Sequence, residues 1–251
     1  MATLAQRSIV FDSDRPFFGG MAAWMTVTVF LGFAPTYYLA PWLHGVTSRG
    51  VSGGAEMTLL VQLHSAVFTS WMILFCVQVG LIASHRRDLH RKLGLAAAAL
   101  AAVMLVVGFL TAIGAARAGS SPPGWDHKAF LLIALTSLLL FGGLFLAALI
   151  TRQKADFHKR FMLLATIALL LPALARIVRY YHLTILPVGV LGGLVLLNFY
   201  PVALITYDLV KRGRIHMATA WGSGLISLAW PARLILGSST AWQNIAQGLM
   251  S

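Results

Sequence analysis

Three histidines stand in similar surroundings along the chain. Asp88-Leu89-His90-Arg91-Lys92-Leu93 and Asp156-Phe157-His158-Lys159-Arg160-Phe161 share one pattern: acid, apolar residue, histidine, two bases, apolar residue. Each follows a similar helix end, Leu81-Ile82-Ala83-Ser84 or Leu149-Ile150-Thr151, and Leu81 to His90 and Leu149 to His158 are both nine steps. A weaker third copy runs from Leu204-Ile205-Thr206 to His216, twelve steps after Leu204. A helix N-terminus disfavours the imidazolium, so such rings stay neutral and able to coordinate a metal ion or a haem iron. The pattern therefore nominates His90, His158 and His216 as metal ligands near one membrane face. It also has a plainer reading, in which Asp88 and Asp156 cap helices and the basic pairs meet acidic headgroups. His85 and His90 form an H-x4-H pair, but membrane di-iron desaturases and hydroxylases also need H-x-x-H-H boxes, and the chain has none.

A second constellation lies deeper in the apolar segments. His64, Phe68, Trp71, Phe75 and Gln78 follow one another at steps of four, three, four and three, which places them on one helical face. A charged, unpaired side chain at bilayer depth costs ~2.5–3.5 kcal/mol, so His64 is expected to be neutral and turned to the bundle interior. There it either hydrogen-bonds across helices or serves as a ligand. Arg176 and Arg179 stand one turn apart, and Arg233 follows Trp230 and Pro231. Only Glu56 and Asp126 offer acids on that side. The arginines either snorkel to headgroups or form an anion site for carboxylates, phosphates, haem propionates or a quinone head. His64, Trp71, Arg176, Arg179 and Arg233 are thus expected to line a common outer cavity that binds a cofactor. Pro172, Pro201 and Pro231 are expected to bend their helices around it, and Asn198 to make an interhelical contact.

The elements that position these residues are legible in the composition. Of 251 residues, 59% are hydrophobic and 10% charged, with mean hydropathy +0.81; a soluble domain is about 45–50% apolar and about 25% charged. Apolar stretches run roughly over 20–43, 57–84, 93–117, 128–152, 158–180, 184–210 and 217–237, each long enough for a hydrocarbon core of ~30 Å. Spanning segments must satisfy their own backbone, so all are expected to be helices. The expected fold is all-α: a polytopic membrane bundle of seven transmembrane helices, with three repeated hairpins and one N-terminal helix, forming a single transmembrane domain over 1–251. Thirteen basic residues fall on the side of the N-terminus and six on the other. The positive-inside rule then puts the N-terminus in the cytoplasm and the C-terminus outside. The first residues lack the basic region and cleavage site of a signal peptide, and are expected to be retained. The basic excess reads as topology, with the lipid bilayer as partner and no nucleic acid. Cys76 is the only cysteine, which excludes a disulfide framework, a CxxC pair, a CxxCH haem attachment and an Fe–S cluster. No nucleophile–base pair, phosphate loop or nucleotide fingerprint is present.

The run from Leu63-His64 through Trp71 to Asp88-Leu89-His90-Arg91-Lys92-Leu93-Gly94 resembles a widespread group of bacterial seven-helix inner-membrane proteins with no assigned activity. Phe33-Ala34-Pro35-Thr36-Tyr37-Tyr38 and the run from His158-Lys159-Arg160-Phe161-Met162 to Thr166 carry the same resemblance. It covers nearly the whole chain and implies the bacterial inner membrane. More distantly, His158-Lys159-Arg160-Phe161-Met162 with His182 is similar to small histidine-bearing membrane proteins of cytochrome oxidase assembly. Histidines near both faces are also similar to those of cytochrome b561-like proteins, which imply haem between helices, although the b561 ligand spacing is not reproduced here. The leading expectation is a membrane redox protein binding b-type haem, with a quinone as a further partner. The alternatives are copper, zinc or iron handling for assembly of a respiratory complex, a non-catalytic subunit of a membrane complex, and a transporter. Whether the chain is an enzyme stays open at this stage.

Overall fold

The computed structural model describes residues 4–44, 58–122, 125–187 and 190–251, with side chains from Asp14 onward except Pro41. Every regular element among them is a helix: α1 (Leu4–Phe33), a π-helical turn (Ala34–Tyr38), α2 (Ala40–His44), α3 (Leu59–Ala83), α4 (Arg87–Arg117), α5 (His127–Ile150), α6 (Ala155–Ile167), α7 (Leu171–Tyr180), α8 (Val190–Arg212), α9 (Met217–Gly237) and α10 (Thr240–Met250). Five stretches are long and apolar enough to cross a membrane: Asp14–Tyr38, Leu59–Ala83, Arg87–Arg117, His127–Ile150 and Val190–Arg212. α6 and α7 together make a sixth, bent by 44°. Such a bundle fits a membrane protein.

Several sequence expectations shift. α1 begins well before residue 20, and Asp14 on it is drawn into the bundle, 5% exposed. α9 coincides with the stretch 217–237, but its glycines, serines, tryptophans and Arg233 dilute its apolar content below that of the other five. Of the three prolines expected to bend helices, one lies at a helix break. Pro172 sits in the first turn of α7; it has no N–H for the Ala168 carbonyl and marks the break between α6 and α7. α8 and α9 run unbroken through Pro201 and Pro231. Asp88 and Asp156 are not N-caps. Arg86 and Lys154 hold the cap positions with no side-chain bond, and both acids lie in the first helical turn, where they still favour the positive end of the helix dipole.

Consecutive helices pack most extensively, α3 on α4, α5 on α6 and α7 on α8, while α8 touches α9 far less. α1 packs against α3 and α7, and α9 against α5 and α6. Two glycines permit close approach to α7. A Cβ on Gly32 would lie 2.5 Å from the Ala173 carbonyl oxygen, and one on Gly193 would lie 2.7 Å from the Ala175 nitrogen. The interior holds Trp71, Met104, Phe141, Leu163, Leu164, Ile167 and Tyr200. Outward-facing positions keep large apolar residues such as Ile73, Val106, Leu139, Phe199 and Leu228, the surface expected where lipid is the solvent.

Candidate functional site

Contacts between helix termini define two ends of the bundle. At one end, here called the basic end, the start of α1 meets the ends of α3 and α8 and the starts of α6 and α9. Arg15 on α1 hydrogen-bonds the Ala83 carbonyl at 3.2 Å and also contacts the His85 ring. Asp14 accepts from Lys159 and Tyr207. Lys159 also pairs with Asp156 at 2.8 Å, and Arg212 pairs with the same carboxylate at 2.9 Å. Asp208, fully buried, accepts from the fully buried Arg160, from Thr219 Oγ1 at 2.5 Å and from the His216 N–H at 3.1 Å. Phe18 lies under Lys159 at 5.0 Å and Arg160 at 5.7 Å, and Phe17 stacks on Tyr207 at 3.9 Å. Three carboxylates and three cations thus form one charge-balanced network across α1, α6, α8 and α9. Arg212 also approaches Asp208, at 4.0 Å, but Arg160 is the closer partner. The signal in the sequence was Asp208, the one acid of the seven in the chain that falls inside an apolar stretch.

The three histidines of the repeated pattern separate into two kinds. His90 and His158 each occupy the fourth position of their helix, and their rings face one another, with centroids 6.2 Å apart and planes at 86°. His158 Nδ1 lies 2.9 Å from the Ala148 carbonyl, and because a carbonyl only accepts, Nδ1 is the donor of that bond. Gln78 Nε2 donates to the His90 carbonyl at 3.2 Å. His90 Nδ1 and Gln78 Oε1 are both buried without a hydrogen-bond partner. His216 lies elsewhere. It is itself the N-cap of α9, its Nδ1 accepts from the Ala218 N–H at 3.1 Å, and Phe157 packs on it at 4.5 Å. Burial first, then the charges of Arg160 and Arg212, hold its imidazole below the ordinary histidine pKa. Among the described residues no group of three or more His, Cys, Asp or Glu is placed to hold a metal ion.

The expected outer constellation is brought together only in part: His64 and Arg176 are close enough to interact electrostatically, while Arg233 turns to α5. Trp71 is 2% exposed and lies in the core, edge-on to Phe141 and Phe145, with its Nε1 3.4 Å from Thr166 Oγ1. His64, two steps back along the same face, stacks on Phe68 at 4.1 Å and keeps a buried Nδ1 without a partner. Arg176 is half-buried over the Phe33 ring at 4.6 Å and donates to the Pro172 carbonyl. Arg179 is exposed beside Tyr180. Arg233 lies against α5, where Nε donates to Thr136 at 2.6 Å and a terminal nitrogen donates to Ser137 at 3.1 Å. It lines a pocket of about 320 Å³ with residues of α5, α9 and α10, among which His64, Trp71 and Arg176 do not appear. Asn198 does reach across helices, accepting from Ser227 at 3.0 Å.

Compared with protein-family models, with curated proteins and with solved structures, the chain matches none.

Proposed function

We propose that the protein is a seven-crossing redox protein of the bacterial inner membrane, N-terminus cytoplasmic, in which His90 and His158 hold a b-type haem iron. The carrying observation is the pair of perpendicular imidazoles with centroids 6.2 Å apart. Rings at this separation would allow both imidazoles to hold one metal ion, with each ligating nitrogen ~2 Å from it. The donor set favours haem over a bare ion. A bare ion needs three or four protein ligands, whereas haem brings four ring nitrogens and needs two. The His158 bond to the Ala148 carbonyl is the outer contact that ligating histidines use to fix their tautomer. The buried, unpartnered His90 Nδ1 and Gln78 Oε1 are polar groups that call for a further partner.

When bound, haem would supply one-electron chemistry. The chain's own residues would set the conditions for it. His90 and His158 would hold the iron, and the Ala148 carbonyl would raise the basicity of His158. Arg91 and Lys92, exposed on the first turns of α4, suit the propionates. A quinone dissolved in the bilayer is the electron partner this reading implies. α9 serves as the seventh crossing, with Trp221, Leu228 and Ile235 exposed along it.

The test is the visible spectrum of detergent-purified protein expressed with haem supplied. A Soret band lost in both His90→Ala and His158→Ala, and kept in His216→Ala, is expected. A colourless wild-type protein, or pigment kept in both variants, overturns the proposal. Stoichiometric metal without porphyrin, lost in the same variants, replaces haem with a bare ion.

A further inference from the structure

Arg233 presents a charge problem that the proposed haem site does not touch. It is 6% exposed and lies in the half of α9 away from the basic end. Its described partners are the hydroxyls of Thr136 and Ser137, both neutral, and it has no ion pair with a described carboxylate. A guanidinium has five N–H donors, and the two hydroxyls take only part of that set. Yet an acid shares its pocket. Asp126 lines the same cavity, its carboxylate held by the Ala129 N–H at 2.8 Å and by Gln243 Nε2 at 3.3 Å. Although burial works the other way, these hydrogen bonds keep the Asp126 carboxyl below its ordinary pKa and therefore ionised at neutral pH. The pocket carries one fixed positive and one fixed negative charge that do not meet each other.

The surrounding elements build this separation. Gly237 lets α9 close on α5, since a Cβ there would lie 3.3 Å from Ala129 Cβ. α10 is fastened across the opening at both ends. Trp242 Nε1 donates to the Lys128 carbonyl at 2.7 Å, and Arg117 Nε donates to the Met250 carbonyl at 2.9 Å. Gln243 bridges Asp126 to the Gly237 carbonyl, 2.8 Å away. Trp125 and Trp230 pack at 5.9 Å beside the pocket, and tryptophans collect at the headgroup level of a membrane. The cavity, about 320 Å³, lies at the small end of ligand pockets, which span ≈ 300–1,000 Å³.

From this geometry we infer that the pocket between α5, α9 and α10 seats a zwitterionic phosphoethanolamine group, with its phosphate on Arg233 and its ammonium on Asp126. The phosphate accepts from the guanidinium donors that Thr136 and Ser137 leave over. The ammonium donates to the carboxylate. A phosphocholine group offers the same charges but no N–H for Asp126, and an anionic phosphoglycerol group places no cation there. The ligand could come from a phospholipid or from free phosphoethanolamine. The inference rests on the membrane reading of the chain and not on haem.

The full-length protein in detergent is titrated with phosphoethanolamine, phosphocholine and phosphoglycerol lipids and with free O-phosphoethanolamine, with lipid retention read by native mass spectrometry and melting temperature. Wild type is expected to retain the phosphoethanolamine lipid with about tenfold preference over the other two. Asp126→Asn is the decisive variant, because asparagine still caps α5 while the charge is gone. It should erase the preference for phosphoethanolamine over phosphoglycerol and leave the melting temperature of the lipid-free protein unchanged. Arg233→Gln should lose all three lipids. Stabilisation by free O-phosphoethanolamine would support the site with a soluble source, and its absence beside lipid retention would support a lipid source. Equal retention of all three lipids by wild type, or an unchanged preference in Asp126→Asn, overturns the inference. Haem content is measured on the same samples and should not follow these variants, so failure of one proposal is separable from failure of the other.

Discussion

The two ends of the bundle bury arginines under opposite conditions. At the basic end Arg160 is fully buried and meets Asp208, itself fully buried. At the opposite end Arg233 is buried almost as deeply and meets only hydroxyls. A buried charge requires compensation, and the two sites obtain it differently. The Arg160 site is complete within the chain, and its product is a fixed arrangement of α1, α6, α8 and α9. The Arg233 site is incomplete within the chain and borders a cavity. Burial alone therefore does not mark a functional arginine; what marks it is which partner is missing.

The comparison can be broken most directly at Asp208. Asp208→Ala takes from buried Arg160 its closest counter-charge, leaving only the more distant Asp156 at 3.6 Å, and removes the acceptor of Thr219 and of the His216 N–H. Loss of one partner of a buried pair costs about 3–5 kcal/mol. The expected result is a large drop in melting temperature in detergent, or failure to recover folded protein. The double variant Arg160→Met with Asp208→Leu should recover much of that loss, since a buried pair can be replaced by apolar groups of similar volume. A single variant that melts like wild type would show that the network is not what fixes these helices.

Much of this architecture was legible in the sequence, for reasons that also explain what was not. Apolar runs must be helical in lipid, so Leu59–Ala83 and His127–Ile150 lie within a few residues of their expected bounds. The register of His90 and His158 followed from two matching strings of nine steps each, because a local pattern fixes local helix phase. The third copy failed because its longer approach brings His216 to the cap position and not into the first turns. The basic-end network was hidden because Asp14, Lys159 and Tyr207 are up to 193 positions apart, and only tertiary packing makes them neighbours. The pairing of Arg233 with Thr136 and Ser137 has the same origin. A face on one helix can be read from spacing, but which helix it meets cannot. α10 was too short and too mixed to register as a span, and without it the pocket at Arg233 has no wall.

A smaller effect is expected at the incomplete site. Arg233→Met in lipid-stripped detergent removes a charge that has no counter-ion to abandon. Thr136 and Ser137 keep their own bonds to the Leu132 and Ile133 carbonyls, so no buried hydroxyl loses its acceptor. The change in stability should stay within about 1 kcal/mol, far below that of Asp208→Ala. A loss as large as at Asp208 would mean that Arg233 is a structural member of the α5–α9 contact, and that the contrast between the ends is one of degree only.

The smallest effect concerns pH. His216 caps α9 through Nδ1, which accepts from the Ala218 N–H and can do so only while that nitrogen is unprotonated. Burial and the nearby Arg160 and Arg212 lower its folded-state pKa below the unfolded value of 6.5. A depressed histidine pKa means that the native state resists protonation. Its contribution is therefore fully present above about pH 6.5 and is lost as pH falls from there through the folded-state pKa, by at most about 1.4 kcal/mol per pH unit. Asp126, at the other end, is also depressed, but from an unfolded value of 3.8, so its contribution is lost only in far more acid solution. Melting temperature followed from pH 7.5 to 5 should fall in wild type and fall less in His216→Asn, because asparagine caps a helix without titrating. Asp126→Asn should follow wild type over the same window. A His216→Asn curve that parallels wild type would assign the acid sensitivity to other groups, and would leave the basic end held by its ion pairs alone.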